Sequence, residues 1–308
     1  MPIVSMILAV LGLSLFEIIN SVDNAIINAE VLHTMKPKAR KWFLTWGIVI
    51  AVFVVRGLLP LLIVWATNPS LGPWGAFTAT FSNDPHIKES IEAAAPILLM
   101  GGGTFLVFLF FHWLFLEDKN YGLKGEKFFH SQGIWFYAVA SILLAGLAGF
   151  AMTRSGTLEF AAVLGSTVFF ITHGFKQQAE AAEKKLLNTG MSDWSKIMYL
   201  EAIDASFSID SVLGSFAFTL SVPLILIGNG IGAIVLRQLT VSNIEKVKQY
   251  PYLKNGAMYS ILVLGTIMIL DAFGFHIPEW LSPIATFGII GFFFWKSINA
   301  KTSNEKTT

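Results

Sequence analysis

Two stretches of this 308-residue sequence set acidic side chains in apolar surroundings. Glu17-Ile-Ile-Asn-Ser-Val-Asp23-Asn24 and Asp204-Ala-Ser-Phe-Ser-Ile-Asp210-Ser211 each hold two carboxylates six residues apart, with an amide or hydroxyl after the second. Glu201 precedes the second pair by less than one helical turn. A charge at the centre of a bilayer costs about 2.5–3.5 kcal/mol on insertion scales. Such acids call for a compensating proton, a water-filled path or a bound cation. Carboxylate, amide and hydroxyl oxygens are hard ligands suited to Mg²⁺, Ca²⁺ or Mn²⁺. No Cys, His or Met lies between the paired acids, which argues against copper and more weakly against zinc. The donor set does not separate Mn²⁺ from Ca²⁺.

The spacing constrains how each pair acts. Six residues of straight helix turn through about 600°, leaving the two acids some 120° apart in azimuth and roughly 9 Å apart in height. Glu17, Asn20, Ser21 and Asn24 share a helical face, as Glu201, Asp204, Ser208 and Ser211 approximately do. Each segment therefore has a polar stripe plus one acid off it. Two arrangements follow. Either the helices unwind near Asn20–Asp23 and Phe207–Asp210 to build one shared site, or intact helices present successive positions along a path.

The elements that must position these groups are membrane spans. The chain is 54% hydrophobic, and its apolar runs are long enough to cross a hydrocarbon core of about 30 Å at 1.5 Å per residue. The expected fold is all-α, a polytopic membrane helix bundle of about nine transmembrane helices in a single membrane domain over 1–308. The spans read as 3–32, 42–66, 93–116, 133–152, 157–173, 197–220, 222–241, 256–273 and 282–298. Lys and Arg concentrate in alternate loops and at the C-terminus, which puts the N-terminus outside and the C-terminus in the cytoplasm. The first apolar run leads straight into Glu17 and Asp23, so it reads as a retained span rather than a cleaved signal. The loop 66–91 reads as an ordered external excursion. Residues 175–187 read as a short cytosolic helix, and Ser192 and Asp193 as the N-cap of span six.

The acidic motifs also repeat in context. Gly47 to Arg56 and Gly228 to Arg237 place an intramembrane Arg nine residues after a Gly, each in the span after an acidic one. Spans one and six run in opposite directions, which makes the internal repeat inverted. Such repeats put substrate sites near the bilayer midplane. The halves are approximately 1–116 and 197–273, joined by two linking spans at 133–173.

Blander roles exist for several of these residues. Ser206, Ser208 and Ser211 could simply hydrogen-bond between helices. Arg56 and Arg237 could neutralise an acid or snorkel to an interface. Gly101-Gly102-Gly103 reads as a close-packing run, and His112, His173 and His276 as interfacial side chains near span ends. Asp271 and Glu30 rank second among the acids. Zero cysteines exclude disulfides and thiolate sites. There is no phosphate loop, nucleophile–base pair or cofactor fingerprint, so neither an enzyme nor a resident cofactor is expected, and no nucleic-acid signature is present.

The segments Phe16-Glu17-Ile-Ile-Asn-Ser-Val-Asp23-Asn24 and Glu201-Ala-Ile-Asp204-Ala-Ser-Phe207-Ser-Ile-Asp210-Ser211 resemble the two signature motifs of the TerC family of membrane proteins. The likeness extends to the Gly-to-Arg spacing, to Tyr252-Leu-Lys-Asn-Gly-Ala and to His276-Ile-Pro-Glu-Trp280. It implies divalent metal homeostasis, especially Mn²⁺ export, with Ca²⁺ as the alternative cargo. It also implies metal coordination by Glu17, Asp23, Asp204 and Asp210, joined by Asn24, Glu201 and Ser211. The departure at Asn20-Ser21, with the added external loop, points to a longer branch. The expected setting is a bacterial cytoplasmic membrane, with the lipid bilayer and a divalent metal ion as partners. Some relatives work with envelope or protein-export machinery, so an assembly protein is the rival class. Oligomeric state is left open.

Overall fold

The computed structural model describes residues 3–47, 49–50, 72–81, 85–186, 190–242 and 249–305, with isolated positions between 57 and 69. Among these residues the secondary structure is helical throughout, as the apolar runs require. In chain order the helices are α1 (Ile3–Asn20), α2 (Val22–His33), α3 (Pro37–Trp42), α4 (Gly72–Phe81) and α5 (Pro85–Leu116). They continue as α6 (Glu126–Ser131), α7 (Phe136–Met152), α8 (Gly156–Leu186) and α9 (Asp193–Ser215). The last three are α10 (Val222–Ser242), α11 (Leu253–Ala272) and α12 (Leu281–Glu305).

Seven helices among the described residues are long and apolar enough to cross a membrane, over Ile3–Asn20, Ala93–Leu116, Gly133–Met152, Gly156–Gln178, Val222–Leu239, Leu253–Ala272 and Leu281–Lys301. The protein is a multi-pass membrane protein. Two expected spans fall outside this set for different reasons. About half of 42–66, including Arg56, lies outside the described residues. Span six is present as α9, but Glu201, Asp204 and Asp210 make it more charged than an ordinary span. Residues lining the outside of the bundle, among them Ile3, Ile7 and Leu11 on α1 and Ile142 on α7, are apolar and exposed, as lipid-facing positions must be.

Small residues bring the central helices together. Gly103 of α5 faces Gly265 and Ile269 of α11, and a Cβ added at Gly103 would stand 2.8 Å from the Gly265 carbonyl oxygen. Gly101 meets Ala161 and Gly165 of α8. The expected close-packing role of the glycine run is what the backbone shows. Around these contacts Met100, Phe105, Leu106, Phe108, Trp113, Phe136 and Phe169 form the main buried core.

The local signals hold at the start of α9. Ser192 is extended (φ −65°, ψ 152°), and its side chain accepts a hydrogen bond from the Ser195 amide at 3.2 Å, so Ser192 caps the helix. Within the loop expected over 66–91, the described residues are largely helical, in α4 and the first turns of α5. One expectation is corrected: there is no separate cytosolic helix after span five. α8 instead runs unbroken through His173, Gly174 and Phe175 to Leu186. A lone glycine costs a helix only about 1 kcal/mol, too little to end one of this length.

Candidate functional site

Glu17 lies near the C-terminal end of α1, which packs against α10 because α10 offers Gly228 and Gly232. A Cβ at Gly232 would come within 2.7 Å of both Glu17 Cβ and the Ser14 carbonyl oxygen. Ser14 Oγ donates to the Gly228 carbonyl at 2.9 Å, fastening the two helices. Glu17 is fully buried. Its Oε1 accepts from Ser21 Oγ at 3.0 Å, and its Oε2 accepts from Ser211 Oγ of α9. The first and second motifs therefore touch, with the carboxylate of one held by the hydroxyl of the other.

From that contact the two chains run antiparallel. Lys196 Nζ donates to Thr34 Oγ1 at 2.7 Å, and the Lys36 amide to Asp193 Oδ2 at 3.4 Å. Steps forward along α1 and α2 are thus matched by steps back along α9. Counted residue by residue between these anchors, Ser21 falls opposite Ser208, Asn24 opposite Asp204, and Asn28 opposite Glu201. Ser21 and Ser208 occupy the same place in the two motifs, so their level divides the acids evenly. Glu17 and Asp210 form one tier, Asp23 and Asp204 the other, about 9 Å away along the helix axes. The side chains of Asp23 and Asn24 lie outside the described residues, so their levels follow from the backbone of α2.

The helices are not unwound at the motifs. Between α1 and α2 only Ser21 departs from helical dihedrals (φ −100°, ψ 7°). The ladder continues across it, from the Ser21 amide to the Glu17 carbonyl at 3.1 Å and from the Ala25 amide to the Ser21 carbonyl at 3.0 Å. Ser21 spends its hydroxyl on Glu17 rather than on capping α2. α9 is continuous through Phe207–Asp210, and Ser208 Oγ donates to the Asp204 carbonyl at 2.7 Å. Of the two arrangements, the described backbone matches intact helices, with a departure of one residue in the first motif and none in the second. Asp204 itself is buried.

Asp210 faces a different neighbour. Its Oδ2 lies 4.0 Å from Nζ of Lys176 on α8. Beyond Lys176 is a polar cluster that sequence reasoning missed. His112 of α5 and His173 of α8 face each other with ring centroids 3.8 Å apart. His112 Nδ1 is 3.5 Å from Glu117 Oε1, and Lys254 Nζ is 3.0 Å from Glu117 Oε2. His112 is buried in the bundle, whereas His173 is half-buried near the end of its span and also meets Gln177, with Nε2 to Nε2 at 3.1 Å. Burial pushes the Glu117 carboxyl up, but His112 and the charges of Lys254 and Lys176 outweigh it and hold the group well below the ordinary range. Lys119 closes the same end of α5, donating to the carbonyls of Trp113, Leu114 (2.8 Å) and Glu117 (3.2 Å). These are the orphan acceptors of a helix end. Burial lowers the Lys119 amine to about 8.

Arg237 of α10 sets Nη2 3.9 Å from Glu201 Oε1, stacks over the Phe43 ring at 4.1 Å and donates to the Phe43 carbonyl at 3.2 Å. It offsets an acid, as one of its two sequence readings expected. Asn28 completes the stripe: it is buried, and its Oδ1 has no hydrogen-bond partner among the described residues. Asp271 serves its own loop, accepting from the Ile277 amide at 2.9 Å, and His276 is exposed.

Of the expected site residues, Glu17 and Ser211 are in direct contact, Asp204 is level with Asn24, Glu201 is paired with Arg237, and Asp210 with Lys176. Among the described residues no three histidine or carboxylate groups converge closely enough to hold a metal ion.

Residues 22–304 match the family described as proteins of unknown function, DUF475. The chain belongs to that family. The match starts just past Glu17 and includes the whole second motif. A Bacillus subtilis (strain 168) protein named uncharacterized membrane protein YceF is 29% identical over 86 residues, which is 28% of this chain and 34% of that one. The chain thus spans about a third of the length of this curated relative. No solved structure matches the chain significantly.

Proposed function

We propose that this protein is a secondary transporter of divalent metal cations rather than an enzyme, and that its cargo crosses between α1–α2 and α9. The contact of Glu17 with Ser211 carries this reading. A carboxylate with no exposure, inside a span, is held by hydroxyls and joined across the bundle to the second acidic motif. Intramembrane acids of this kind mark ion pathways.

The two tiers favour successive positions on one path over a single cage of acids. Hydroxyl, amide and backbone oxygens at Ser21, Asn24, Asn28, Ser208 and Ser211 would complete each coordination shell, a hard-oxygen set suited to Mn²⁺ and Ca²⁺. Manganese is favoured by the resemblance of both motifs to the TerC family. Export into the space outside a bacterial cytoplasmic membrane follows from the same resemblance and from the basic cytosolic loops. Rocking of two inverted halves about the Ser21–Ser208 level gives alternating access.

The test is flux of Mn²⁺ and of Ca²⁺ into proteoliposomes by the full chain, with E17Q, D23N and D210N side by side. Loss of Mn²⁺ flux in the variants supports the proposal. Unchanged flux in all three rejects this path, and capture of export machinery without any flux favours the assembly class.

A further inference from the structure

Glu17 accepts from the hydroxyls of Ser21 and Ser211, and Asp210 is met by an ammonium, Lys176 Nζ, 4.0 Å from Oδ2. The Lys176 and Asp210 side chains are mostly buried, 21% and 12% exposed. A second carboxylate, Glu117, lies within electrostatic reach of the same ammonium, and it is also held by Lys254 and His112. Lys176 therefore lies beside Asp210 of α9 and within electrostatic reach of Glu117 just past α5, at the end of a flexible four-carbon stem whose ammonium is a compact point charge.

Resting on the transport reading above, we infer that Lys176 is a tethered competitor for the transported cation. It neutralises Asp210 when no cation is bound, and a divalent cation arriving at Asp210 displaces it toward Glu117. Both states keep Asp210 and Glu117 each beside a positive charge. That condition is what makes them close in energy, because an uncompensated buried ion is strongly disfavoured. The exchange also ties cation occupancy to the position of α8, the helix that carries Lys176. His173 lies one turn before Lys176 on α8 and packs on His112, so the groups facing this exchange are Asp210 of α9, His112 of α5, Glu117 after α5, Lys254 of α11, and His173 of α8 itself.

The inference gives two substitutions opposite signs. In K176M the competitor is gone, so purified protein binds Mn²⁺ about tenfold more tightly and releases it more slowly. In E117Q the alternative seat for the ammonium is weakened, so Lys176 stays on Asp210 and Mn²⁺ binds several-fold more weakly. K176R, which keeps the charge, stays near the parent. The metal-free protein gives an independent readout: K176M lowers Tm, added Mn²⁺ raises it more than in the parent, and K176M/D210N recovers the metal-free Tm. Equal or weaker Mn²⁺ affinity in folded K176M, or E117Q shifting the same way as K176M, overturns the inference while leaving the transport reading intact. Absence of Mn²⁺ and Ca²⁺ binding in the parent protein overturns the transport reading and this inference with it.

Discussion

The first acidic motif sits at a seam between two helices, whereas the second lies within one continuous helix. At Ser21 a single residue leaves the helical dihedrals, and its hydroxyl turns to Glu17. Around Asp210 the helix continues without interruption from Asp193 to Ser215. The same arrangement of acids is therefore supported in two ways. Glu17 accepts from two hydroxyls, and Asp210 lies beside an ammonium carried by a third helix. In an inverted repeat whose halves were equivalent, the two environments would match. Under the exchange proposed above, Asp210 is the acid at which an internal charge moves.

The largest expected effect breaks this comparison at its stronger end. E17Q should lower Mn²⁺ flux in proteoliposomes by about a hundredfold or more, because it removes the charge that the hydroxyls are arranged to serve. D210N should cost less, about tenfold. Equal losses in the two variants would show that the motifs are equivalent after all.

The next effect is on folding. G232V puts a branched side chain against Glu17 Cβ and the Ser14 carbonyl, and overpacking of this kind costs about 1–3 kcal/mol or more. G288V, on α12, has nothing within reach of an added Cβ and should leave melting in detergent nearly unchanged. A comparable loss in both would show that the α1–α10 seam is not specially tight.

S211A sharpens the cross-motif contact. It removes one donor from a buried carboxylate, a loss of about 1–3 kcal/mol, and should weaken Mn²⁺ binding by roughly tenfold while S211T retains most of it. Titration of metal binding by calorimetry reads this directly.

The smallest effect concerns pH at the Glu117 end of α5. Glu117 is held below the ordinary carboxylate range, so the folded state binds its proton less readily than the unfolded state does. Its stabilising contribution is full above the unfolded carboxylate value, about 4.3, and is lost as pH falls. E117Q should therefore lower Tm at pH 7 by a few degrees, with the gap to the parent narrowing as the medium is acidified below about pH 4. A gap that widens with acid would reverse the assigned sign.

The sequence made the paired acids, their helical setting and the membrane character legible because each depends on local pattern or composition. Ser192 capped α9 for the same reason, since a cap is decided within three residues. The partner of Asp210 was not legible. Lys176 reaches it from another helix, and no periodicity relates the two positions. His112 and His173 read as interfacial because each lies near a span end. Their tilted ring contact depends on α5 and α8 lying side by side and in step, which Gly101 and Gly165 allow. Spacing posed the choice between unwound and intact helices but left it open, because the answer rests on whether Ser21 caps a helix or serves a carboxylate.

The length of α8 has a mechanical consequence. The helix runs from Gly156 to Leu186 without a break, gripped near Gly165 by the backbone of α5. It is a lever with its fulcrum inside the membrane and its long arm, about 30 Å, ending beyond it. A tilt of about 5° at the fulcrum displaces the far tip by roughly 3 Å. Whatever holds that tip loads the arm on which Lys176 rides.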